Sequence, residues 1–158
     1  MQLNIPLKLI IFLTPHINMT NKNDIIQLER AKFWTDRGVL FCEISNPDET
    51  SNLKEETVDS YICAISKLCN GKKMPFLIDL RNTHGTFLSA SAKKLANSSE
   101  FSKLSLSEAF VVNSLKIKLL ISSYKRIYEP ITPFKIFNDY DEALAYSIDV
   151  KNTPNESE

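Results

Sequence analysis

Residues 74–86 read MPFLIDLRNTHGT. The first seven form a nearly continuous apolar run, with Lys72 and Lys73 before it and Arg81 and Asn82 after it. A strand covered on both faces reads this way, as in a parallel sheet flanked by helices. Residues 81–86 then form a loop containing Gly85. In open α/β sheets ligands and partners meet the carboxyl ends of the strands. That rule makes Asp79, Arg81, Asn82, Thr83, His84, Gly85, Thr86 and Ser89 the candidate contact residues.

On the amino-terminal side, residues 25–34 alternate loosely and read as one strand, and residues 39–45 as a second. Thr35 to Gly38 join them in a tight turn, giving an antiparallel hairpin. Asn52, with Glu55 three residues on, resembles a helix start. Leu53, Val58, Ile62, Ile65 and Leu68 continue at helical spacing, and Gly71 ends the helix.

On the carboxyl side, a helix is expected at about 89–97, with Ser89 as its N-cap. The serine-rich stretch 98–107 reads as irregular, and 108–113 as a buried strand. Residues 115–128 follow as a helix whose inner face carries Ile117, Leu120, Ile121, Tyr124 and Ile127. A short strand, FKIF at 134–137, leads to a last helix opened by Asn138 or Asp139. The order is ββαβαβαβα: a single α/β domain with an edge hairpin and a mostly parallel sheet.

Composition excludes several function classes. The chain has three glycines, where average usage of about 7% would supply roughly 11. None lies in a Gly-x-Gly-x-x-Gly or Walker A pattern. The 19 basic and 19 acidic residues balance, which argues against a broad nucleic-acid footprint. His16 and His84 are too few and too distant for a His-rich metal site, and no cofactor is expected. No apolar run approaches the ~20 residues of a membrane span. Cys42, Cys63 and Cys69 read as reduced, buried thiols.

Residues 1–18 differ from the rest: a short apolar run precedes Thr14, Pro15 and His16, without a small-residue cleavage site. They read as an extension preceding a natural start at Met19. The domain is assigned to 19–150 and a disordered tail to 151–158.

Three stretches carry a family resemblance: PFLIDLRN at 75–82, AFVVNS at 109–114 and PFKIFNDYDEALAYSI at 133–148. They resemble the STAS domain, the SpoIIAA-like fold, and more narrowly a bacterial STAS-like subgroup related to lipid-transfer (CRAL-TRIO) domains. The resemblance implies a non-enzymatic cytoplasmic regulatory module with a protein partner, and allows a homodimer. Its CRAL-TRIO side implies the alternative, a binder of a lipid or small apolar ligand. An enzyme is the third reading, with Asp79 as acid and His84 as its local partner; the structural reading of Asp79 is that it hydrogen-bonds neighbouring backbone amides or pairs with Arg81. In antagonist members an Asp-Ser-Ser-Gly-like motif carries a phosphorylated serine. The matching place here reads Phe87-Leu88-Ser89-Ala90, so Ser89 alone is left as a phosphorylation candidate.

The alternatives differ in what they require. A ligand binder needs an apolar pocket of ~300–1,000 Å³, an interaction module a filled core and a flat exposed patch. The basic helix 115–128 reads as a core helix with solvated Lys116, Lys118, Lys125 and Arg126, its tyrosines Tyr124 and Tyr128 available to a dimer face.

Overall fold

The structure, a computed structural model, describes residues 24–50, 52–87 and 89–154. The expected extension at 1–18 and the last four residues of the tail lie outside the described residues.

The hairpin is a three-stranded meander. Strand β1 (Ile25–Gln27) pairs antiparallel with β2 (Ala31–Asp36), which pairs antiparallel with β3 (Val39–Asn46). The expected single strand at 25–34 therefore reverses at Leu28 to Arg30, where the Leu28 amide donates to the Ala31 carbonyl at 2.8 Å. No glycine or proline marks that reversal, which is why alternation alone misses it. The β2–β3 loop is only Arg37 and Gly38, at φ 48° and 72°. Two positive φ values suit the type I′ turn that matches strand twist.

The apolar run at 74–80 opens β5 (Met74–Thr83), with β3 on one side and β7 (Ser105–Val111) on the other, both parallel to it. Strand β8 (Phe134–Phe137) adds parallel to β7. The six-stranded order is β1-β2-β3-β5-β7-β8. Strand β5 extends through Thr83, so the loop starts three residues later than the sequence implied. A small parallel pair, β4 (Asn52–Leu53) with β6 (Thr86–Phe87), sits beyond these strand ends. Asn52 consequently belongs to a strand, and Lys54 precedes helix α1 (Glu55–Cys69) without a side-chain cap.

Helices α2 (Ser89–Ala96) and α3 (Ser99–Leu104) follow. The serine-rich stretch expected to be irregular is thus partly helical. Ser98 caps α3 by accepting from the Phe101 amide at 3.1 Å, and Leu104 is buried. Helix α4 (Leu115–Tyr128) is capped by Ser114, and α5 (Tyr140–Asn152) by Asp139. Lys151, assigned to the tail, is in α5, and its ammonium donates to the Arg37 carbonyl at 2.6 Å.

Period-two alternation divides the core between the two faces of the sheet. Val39, Phe41, Leu77, Ala109 and Val111 face α5 and its buried Ala143. On the other face, Phe33, Leu40, Cys42 and Phe76 pack with Ala64, Ile65 and Cys69 of α1. A separate cluster, Phe110 and Val112 with Ile117 and Ile121, lies under α4. Ile127, expected inside, is 68% exposed, while Lys125 is buried at 7%. The face of α4 that meets the sheet is therefore rotated toward the Ile117, Ile121, Lys125 line.

Candidate functional site

The clusters under α1 and under α4 share one sheet face but do not merge. Ile78 of β5 packs against both. Between them lies a cavity of about 690 Å³. Phe76, Ile78 and Phe110 form its floor, Ile62 and Ile65 of α1 one wall, and Ile117 and Ile121 of α4 the other. Short α2 contributes Ala92 and Leu95. Asn52, Lys54, Glu56 and Ser60 line it and are exposed, so it opens beside the start of α1. Cysteine and tyrosine groups in this wall are strongly desolvated. Burial pushes the Tyr61 hydroxyl up to about 12 and raises the Cys42 thiol further.

One wall carries charge. Glu108 of β7 and Lys125 of α4 form an ion pair, each side chain only 4% exposed. Glu108 lines the cavity. The Lys125 ammonium lies 5.4, 5.7 and 4.9 Å from the ring centres of Phe110, Tyr124 and Phe134. Aromatic faces attract a cation, and here they enclose it. Desolvation raises the Glu108 pKa, and the adjacent Lys125 charge opposes that shift.

The residues selected from sequence divide between the two sheet faces. Asp79 is buried on the α5 side, where it accepts from the Arg81 amide at 3.1 Å, Nε at 3.0 Å and Nη2 at 2.7 Å. Arg81 also stacks over Tyr140 at 5.2 Å. Arg81, not His84, is thus the partner of Asp79. Asn82 is exposed and opposite Ser45 in the sheet. Thr83 donates to the Ile44 carbonyl at 3.1 Å, and both Thr83 and Gly85 line the cavity.

His84 is exposed; its amide donates to the Asn46 carbonyl, and its own carbonyl accepts from Lys116 at 3.1 Å. Thr86 pairs with Asn52 in the small sheet. Ser89 is the first residue of α2 and exposed, and its carbonyl accepts from the Tyr128 hydroxyl at 3.3 Å.

Glu108 escaped sequence reasoning, and Lys125, expected to be solvated, is buried. Their signal was present: an acid inside an apolar strand, and a lysine four residues after Ile121 on the helix stripe. Tyr124 is half-buried in the cavity wall, as its place on the inner face of the helix leads one to expect. Cys63 is exposed, whereas Cys42 and Cys69 are buried, and all three are free. Among the described residues, no group of three His, Cys, Asp or Glu could hold a metal ion.

The fold has a counterpart among known proteins. Residues 33–151 match the profile of a domain of unknown function, DUF7793. The chain belongs to the DUF7793 family. No curated protein matches it. Among solved structures, an uncharacterized protein from the DUF3478 family of Shewanella loihica PV-4, described as having a SpoIIAA-like fold, superposes with a TM-score of 0.50. The two are 17% identical, over 80% of this chain and 92% of the other. The DUF7793 domain thus has the SpoIIAA-like fold expected from its sequence. No helix among its described residues is long and apolar enough to cross a membrane.

Proposed function

We propose that this DUF7793 domain is a non-enzymatic binding module that holds a small, mainly apolar molecule between α1 and α4. The observation that carries this reading is the cavity of about 690 Å³. Its size falls in the ~300–1,000 Å³ range of small-molecule sites. Its floor and side walls are mainly aliphatic and aromatic, with exposed polar groups at the mouth and the buried Asn46, Ser91 and Glu108 among the lining residues. Moving an apolar molecule from water into a hollow of that character is favourable, because it removes apolar surface from water. Engagement of Asp79 by Arg81 supports a binding rather than an acid-base role for the loop.

The regulatory reading has its own support. Arg81 is oriented by Asp79 and Tyr140 yet keeps a side chain 42% exposed, so it offers a pre-ordered cation to a protein partner. Asn82, His84 and Ser89 are exposed nearby in sequence. Thr83 and Gly85, which line the cavity, belong to the same segment as that rim.

Titration with the uncharged dye N-phenyl-1-naphthylamine tests the binding reading. Saturable fluorescence enhancement at one site is expected. Leu120→Trp, which adds bulk to the wall, should abolish it while the circular dichroism spectrum and melting transition persist. Equal dye binding by that variant, or no saturable binding by the wild type, overturns the reading.

A further inference from the structure

The cavity does not end in an inert wall. Glu108, Tyr124, Leu95 and Phe101 separate it from a second hollow of about 120 Å³ beneath residues 128–132. The acid in that partition is neutralised by Lys125, which does not itself line the cavity. Lys125 approaches Glu108 through Oε2. An ionised carboxylate offers about four lone-pair sites and no donor. The wall therefore presents acceptor capacity to the cavity while the pair carries no net charge.

These facts limit the ligand. A carboxylate head placed here would set two anions against one buried cation, which desolvation strongly disfavours. An ammonium head would leave a surplus buried cation. An ether or ester head brings only acceptors to an acceptor. A hydroxyl is neutral and donates.

We propose that Glu108 is a binding residue that selects a neutral, hydroxyl-headed apolar ligand, its alcohol donating to the carboxylate that Lys125 holds in place. The alcohol lies at the inner end and the hydrocarbon chain between α1 and α4. This rests on the cavity-binding reading.

The test uses the full chain at pH 7.5 and displacement of N-phenyl-1-naphthylamine by 1-decanol, decanoate and 1-methoxynonane. A hydrogen bond to a charged acceptor corresponds to roughly tenfold or more in affinity. Decanol should therefore displace dye at roughly tenfold lower concentration than the ether, and decanoate should be weakest. The double variant Glu108→Leu with Lys125→Met keeps an apolar wall without leaving either charge alone. Read relative to its own dye affinity, it should lose the preference for alcohol over ether. A purely structural role for the pair would leave that preference unchanged.

Dye binding with equal displacement by decanol and the ether in the wild type overturns the proposal and leaves the binding reading intact. So does a preference that survives in the double variant. Absence of dye binding in the wild type overturns both.

Discussion

The guanidinium of Arg81 lies 5.2 Å from the ring centre of Tyr140 while two of its nitrogens reach the carboxylate of Asp79. This ties the end of β5 to the first turn of α5. Asp79 is 8% exposed, so removing its partner leaves a buried carboxylate with only the Arg81 amide among those three donors. Arg81 is half-exposed and water screens part of the effect. Arg81→Ala should lower stability by about 1–2 kcal/mol in urea unfolding. Arg81→Lys should recover less than half of the loss, because lysine cannot reproduce the fork. A neutral effect of Arg81→Ala would refute the tie.

Glu108 and Lys125 should show strong non-additivity. Glu108→Leu alone leaves a buried ammonium and should cost roughly 3–5 kcal/mol, whereas removing both charges can be close to neutral. The double variant Glu108→Leu with Lys125→Met should therefore be more stable than either single variant. Chemical denaturation of all four proteins checks this. Additive losses would mean that the two groups do not act as a pair.

The thiols should separate by accessibility. At pH 8 one thiol, Cys63, should react rapidly with a disulfide reagent in the native protein, and all three after unfolding. Burial raises the Cys69 pKa from 9.0 to about 11. The unfolded thiol then ionises first, so stability supplied by this group falls as pH rises from 9 toward 11 and is constant below. Rapid native labelling of Cys42 or Cys69 would contradict their burial.

Ser91 is fully buried, and its hydroxyl donates to the Leu53 carbonyl at 2.6 Å, pinning α2 to β4 beside the cavity. Ser91→Ala should destabilise by about 1–2 kcal/mol and loosen the wall formed by Ala92 and Leu95. Weaker dye binding should accompany the loss of stability. Unchanged melting would show that the bond does not hold the helix.

Gly38 sits at φ 72°, and a Cβ there would come within 2.5 Å of the Lys151 side chain. The lysine end can move aside, but the left-handed backbone costs an L-residue about 1–2 kcal/mol. Gly38→Ala should lower the melting temperature accordingly, and Lys151→Ala should not restore it. Full rescue by the second change would assign the cost to the clash instead.

Sequence by itself determined the class of fold and the central strand. The run MPFLIDL could be satisfied only by covering both faces, and alternating helical and apolar segments around it required crossover connections. Gly38 similarly marked its turn, because its φ of 72° is open to glycine without steric cost. Asp79 paired with Arg81 was also within reach, since two residues along a strand share a face.

What tertiary structure decided was which residues meet. Alternation places Asp79 on one sheet face, while Thr83 and Gly85, further along the same stretch, line the other. No local pattern reports that split across a register irregularity and a strand end. Glu108 and Lys125 are 17 residues apart, on a strand and the following helix, and only the rotation of α4 against the sheet brings them together. The cavity has the same origin. It exists because α1 and α4 cover opposite halves of one face and short α2 does not fill the gap, a matter of helix placement rather than residue type.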